Sequence, residues 1–127
     1  MTKLSFKHSP ALALLLVRSA VAIVFIAHGW AKLANLAGTV NFFQSIGLPS
    51  SLAYIVAVIE FAGGLALLAG LWPRVMAGLL AAIMIGAIAT VKFKLGFLGG
   101  YEFEFLLLAA AVGLLVTDPT RYGWRQR

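Results

Sequence analysis

Four apolar stretches, at about residues 10–32, 50–71, 75–93 and 100–118, limit what this chain can become. A helix needs about 20 mostly apolar residues to cross the hydrocarbon core of a bilayer. With 62% of its residues hydrophobic and 11% charged, the chain lies outside the composition of soluble domains. The connections between stretches are short, which makes consecutive spans antiparallel neighbours. The reading is therefore an all-α membrane protein: four transmembrane helices in an up-down antiparallel bundle, one domain over residues 1–127.

Local signals refine these spans. Pro10 is placed to open the first helix. The third stretch, Val75 to Val91, carries no charge and is expected to be the most lipid-exposed or to serve packing alone. In the fourth, the apolar run from Phe105 to Val116 is too short by itself, so Glu102 and Glu104 fall at or just inside the membrane boundary. The segment from Ala34 to Pro49 leaves the membrane, with Val40, Phe42, Phe43 and Ile46 suited to a short interfacial helix that Gly47-Leu48-Pro49 ends. Lys3 and Lys7 before an apolar run resemble a signal peptide, but Arg18 interrupts the run and no cleavage site follows, so the segment is expected to be retained. Gly78, Ala82, Gly86 and Thr90, and likewise Ala62, Ala66 and Gly70, form small-residue rows that read as seams of close helix packing. Whether the seams close within one chain or across a homodimer is left open by the sequence.

Ten Lys and Arg against four Asp and Glu give a net charge of +6. Among membrane spans that excess sets topology and meets anionic lipid; it does not point to nucleic acid. Lys3, Lys7, Arg74, Arg121, Arg125 and Arg127 share one side of a four-span chain, and Lys32, Lys92 and Lys94 the other. The positive-inside rule then puts both termini and the 72–74 turn in the cytoplasm of a multi-pass protein of the bacterial inner (plasma) membrane. Trp30, Tyr54 and Tyr101 would mark the outer interface, and Trp72, Tyr122 and Trp124 the inner one.

The charges inside the spans carry the functional reading. A charge at the bilayer centre costs about 2.5–3.5 kcal/mol on insertion scales, so it needs a partner or a wet cavity. Arg18 and Glu60 are the first pair expected, because spans centred near Val21 and Phe61 bring them to similar depth. At about 100° per residue, Phe25, Lys32 and His28 lie within about 80° of Arg18, which gives the first helix one polar, inward face. His28 and Lys32 stand one turn apart on its outer half, where the fourth span brings Glu102 and Glu104, with Lys92 and Lys94 at the rim. The two glutamates are about 200° apart around a helix, so only one of them faces inward. Arg18, His28, Lys32, Glu60 and Glu102 are the candidate ligand-binding residues.

Enzyme signatures are missing. The absence of cysteine excludes disulfides, thiolate metal sites and thiol redox chemistry. Two histidines with no third ligand give no metal site, no glycine-rich phosphate loop is present, and the serines have no His-Asp partnership. No catalytic residue is assigned.

Arg18, His28-Gly29-Trp30-Ala31-Lys32, Gly47-Leu48-Pro49, Glu60-Phe61-Ala62-Gly63-Gly64-Leu65-Ala66-Leu67 with Gly70, and Gly100-Tyr101-Glu102 occur in that order along four spans. This pattern resembles the DoxX family of small four-helix bacterial membrane proteins, over Leu12 to Val116. The resemblance implies a place near membrane redox chemistry, since the family takes its name from a membrane subunit associated with a terminal quinol oxidase and relatives are linked to thiosulfate oxidation with quinone as acceptor. It is the resemblance, too, that favours Glu102, the glutamate directly after Gly-Tyr, over Glu104 as the inward one. The leading expectation is an accessory or quinone-interacting subunit of a membrane oxidoreductase system, more an accessory subunit than a self-sufficient enzyme, surrounded by lipid and by membrane redox subunits, with a quinone held non-covalently. Two alternatives stay open: a small carrier or channel for an anion or lipid-like molecule, and a membrane assembly or stress-response factor.

Overall fold

The computed structural model describes residues 9–117. Helix α1 (Pro10–Ala34) starts on its proline, and the Ser9 hydroxyl accepts from the Leu12 amide at 3.3 Å. Proline suits this position because its missing N–H is one that the first helical turn leaves unused. A short α2 (Leu36–Ser45) follows, capped by the Asn35 side chain, which accepts from the Gly38 amide at 3.1 Å. Helix α3 (Ser50–Ala69) ends in a Schellman turn. There the Gly70 and Leu71 amides return to the carbonyls of Leu67 and Ala66 at 3.1 and 2.8 Å, with Gly70 at φ 81°. Helix α4 (Pro73–Ala87) again opens on proline and runs on through a π turn, Ile88–Lys92, and a 3-10 turn, Phe93–Leu95. After Gly96 a kinked turn, Phe97–Tyr101, leads into α5 (Glu102–Val116).

Among the described residues, four segments are long and apolar enough to cross a membrane: Pro10–Ala34, Ser50–Ala69, Pro73–Leu95 and Phe97–Val116. Their most apolar windows are at most 33% buried within the protein. The outward residues are themselves apolar and exposed, among them Leu16, Ile23, Val58 and Leu106. A continuous belt of this kind is stable against lipid, not water. The chain is an all-α integral membrane protein. Trp30, Tyr54 and Trp72 are exposed near helix ends, where an amphipathic ring meets the headgroup layer. Lys3, Lys7, Asp118, Pro119, Arg121, Tyr122, Trp124, Arg125 and Arg127 lie outside the described residues.

The helices pack chiefly as two pairs, α1 with α3 and α4 with α5. A Cβ on Gly29 would collide with the Phe61 backbone, and one on Gly64 would stand 3.0 Å from the Ile26 amide nitrogen. In lipid, where apolar side chains gain nothing by leaving the solvent, such backbone approach supplies dispersion contact. At the other end of the bundle the Arg74 Nε donates to the Leu115 carbonyl at 3.1 Å, tying the start of α4 to the end of α5. Val21, Ala22, Phe25, Leu67, Leu80, Met84 and Leu107 belong to the buried core between the pairs.

The row on α4 corrects the sequence reading. Gly78 does lie against α5, beside Leu115, but a Cβ on Gly86 would meet nothing within 4 Å. Ala82, Gly86 and Thr90 line a pocket instead of a seam, and the charge-free third span does more than pack.

Candidate functional site

The α3–α4 hairpin is closed near its turn, where Gly63 lies beside Met76 and Leu80. Farther from the turn both helices line an apolar pocket of about 540 Å³. One wall is formed by α1 and α3, through Phe25, His28, Lys32, Ile59 and Glu60. The facing wall comes from α4, its π turn and α5, through Ile83, Gly86, Thr90, Lys92, Phe103 and Glu104. Phe42 and Phe43 of α2, with Ile46 just after it, line its end. The small side chains of α4 leave the volume, and the amphipathic α2, with Phe43 buried, covers it.

Two ion pairs stand in this apolar lining. The Lys32 Nζ donates to Glu60 Oε1 at 2.8 Å, and Glu60 is almost wholly buried while the Lys32 side chain keeps 27% exposure. Lys92 Nζ and Glu104 Oε2 are 3.4 Å apart. The other Glu104 oxygen, Oε1, is buried without a hydrogen-bond partner. Beside the pairs, the His28 ring lies 5.8 Å from that of Phe103 and bridges α1 and α5.

Two sequence expectations change here. Glu60 pairs with Lys32 and not with Arg18, because the packing of Gly29 on Phe61 sets Glu60 level with the last turns of α1. Arg18 is fourteen residues earlier, about 21 Å down the helix at 1.5 Å per residue. It is buried there, with its Nε unpartnered. Centring both spans at one depth missed this offset. The second change concerns the glutamates. Glu102 is exposed and accepts from the Gly99 amide at 3.0 Å, reaching back three residues as an N3 glutamate does in a capping box. Glu104 holds the inward position, in line with the buried Leu107, Ala111 and Leu114. Helix α5 is apolar on every side, so its sequence pattern does not distinguish the inward face. His28, Lys32 and Glu60 are brought together; Arg18 and Glu102 are not part of the pocket.

Among the described residues, no three His, Asp or Glu side chains are grouped to hold a metal ion. The pocket can instead donate from two ammonium groups, accept at two carboxylates and enclose an apolar ring between aliphatic and aromatic side chains.

Residues 13–93 match the DoxX family. The chain belongs to that family. Among its curated relatives, "Putative oxidoreductase CatD" of Bacillus subtilis (strain 168) is 46% identical over 103 residues, 81% of this chain and 77% of that protein. "Inner membrane protein YqjF" of Escherichia coli (strain K12) is 38% identical over 63 residues, 50% of this chain and 48% of its relative. No solved structure gives a significant match. The matched DoxX region contains His28, Lys32, Glu60 and Lys92 and stops short of Glu104, so one member of the second ion pair lies beyond it.

Proposed function

We propose that this DoxX protein is an accessory subunit of a membrane oxidoreductase system in the bacterial inner membrane, and that its pocket receives the head of a quinone. The observation that carries this reading is the Lys32–Glu60 pair in the wall of a mostly apolar cavity of about 540 Å³. A lipid-soluble dione matches that lining: its ring fills apolar space beside Phe25 and Phe103, and its oxygens are the only groups that need polar partners. The Lys32 ammonium donates to a carbonyl, and the Glu60 carboxylate accepts from a hydroxyl. The unpartnered oxygen of Glu104 also fits a ligand that brings a donor. A bound quinone supplies the redox chemistry; the chain's own residues bind it, orient it and exclude water around it.

The names of the two relatives, "Putative oxidoreductase CatD" and "Inner membrane protein YqjF", support the setting. The distribution of basic residues supports an orientation with both termini cytoplasmic, which would place the pocket toward the outer leaflet.

Native mass spectrometry of gently solubilised protein, with identification of co-purifying small molecules, tests the reading. A quinone is expected on the wild type, retained by Arg18→Met and lost from folded Glu60→Gln. A wild type that carries none, and that shows no saturable binding when quinone is added, overturns it.

A further inference from the structure

We infer that the second ion pair, Lys92 with Glu104, is a ligand contact, so that the pocket selects a ring bearing oxygen at both ends over an amphiphile with one polar head. This rests on the reading of the pocket as a quinone-head site and adds what that site discriminates.

Both pairs line the same cavity, and they belong to different helix pairs. Lys32 and Glu60 come from α1 and α3, Lys92 and Glu104 from the π turn after α4 and from α5. Polar groups therefore stand on two facing walls with apolar space between them. The pairs also differ in how well they satisfy themselves. At 2.8 Å the Lys32–Glu60 contact is a full charge-assisted hydrogen bond, whereas 3.4 Å between Lys92 and Glu104 is well beyond the usual 2.7–2.9 Å. Glu104 in addition keeps one buried oxygen with no donor. A buried acceptor left unsatisfied is costly, so a small movement of Glu104 onto a ligand hydroxyl would gain a bond without breaking a good one. Lys92 has three N–H donors and a partly exposed side chain from which to follow.

Each pair offers one donor group and one acceptor group. A carbonyl at either end of a ring can accept a hydrogen bond from lysine, and a hydroxyl at either end can donate one to glutamate. The same lining thus fits a ring dione and the corresponding diol. A fatty acid, a sterol or any other one-headed amphiphile would leave one pair facing apolar carbon.

The test uses two probes identical but for one hydroxyl, decylhydroquinone and ortho-decylphenol. Binding to protein in nanodiscs is measured without oxygen and referred to each probe's concentration in the bilayer. The wild type is expected to prefer the hydroquinone by about tenfold or more, the range of a hydrogen bond to a charged group. In Lys92→Met/Glu104→Leu, which removes both charges together and so leaves neither unpaired, the preference should fall to within about twofold. Equal binding of both probes to the wild type, or a preference that persists in the double variant, overturns the inference while leaving the quinone pocket standing. If the wild type binds neither probe saturably, both fall.

Discussion

An ammonium and a carboxylate held 2.8 Å apart among apolar side chains make unequal partners when one is removed. Glu60 is almost wholly buried, but Lys32 keeps 27% of its side chain exposed near the end of α1, and its long stem lets the charge turn toward water or headgroups. Lys32→Met should therefore destabilise by about 3 kcal/mol, because it strands a buried carboxylate, and Glu60→Gln should cost clearly less. Lys32→Met/Glu60→Leu should recover most of the loss, since a buried pair replaced by apolar groups of similar volume is often neutral or stabilising. Thermal unfolding of the three variants in one detergent gives the order; equal losses for the two single changes would contradict this asymmetry. At this scale the sequence was half legible. His28 and Lys32 one turn apart, and Glu60 among apolar neighbours, were visible as charges that require an explanation. The identity of Glu60's partner was not, because pairing depends on how far α1 slides along α3, and two backbone contacts at Gly29 and Gly64 fix that offset.

Those contacts make the α1–α3 pair an element whose packing and chemistry are linked. Gly64→Leu would drive a side chain against the Ile26 backbone and the Ala22 carbonyl, an overpacking that costs about 1–3 kcal/mol. Because the same interface sets the register of Lys32 against Glu60, the variant should also lose its ligand; native mass spectrometry at a temperature where it remains folded would show this. On α4 the opposite holds. Gly86→Ala adds a Cβ that meets nothing within 4 Å and removes a helix-interior glycine, so it should raise stability by about 0.5–1 kcal/mol in the same thermal assay. The contrast explains why small-residue rows were poor guides. Gly64 and Gly86 look alike in sequence, and only their surroundings in the fold, α1 lying against the first and α4 opening onto the cavity at the second, make one a seam and the other the floor of a pocket. The inward choice between Glu102 and Glu104 failed for a related reason: α5 is apolar on every side, and a helix without a polar face gives its sequence no way to announce its rotation.

For the molecule as a whole, four spans of sufficient length and apolarity fixed the class, because a bilayer admits few other solutions for such segments. What connects the spans was less visible, including the π and 3-10 turns that carry Lys92 to the pocket, since no proline or glycine within Ile88–Leu95 announces a departure from the α-helix. The orientation proposed here places the α2 end of the bundle, and with it both ion pairs, on the outer side. The absence of cysteine makes this directly measurable. Single cysteines at two exposed positions, Gln44→Cys in α2 and Leu71→Cys in the α3–α4 turn, stand at opposite ends of α3. In spheroplasts, a membrane-impermeant maleimide should label the first and spare the second, and permeabilisation should make the second reactive. The reverse pattern would put the pocket in the cytoplasmic leaflet, so that a quinone head bound there would meet redox partners and protons from the other side of the membrane.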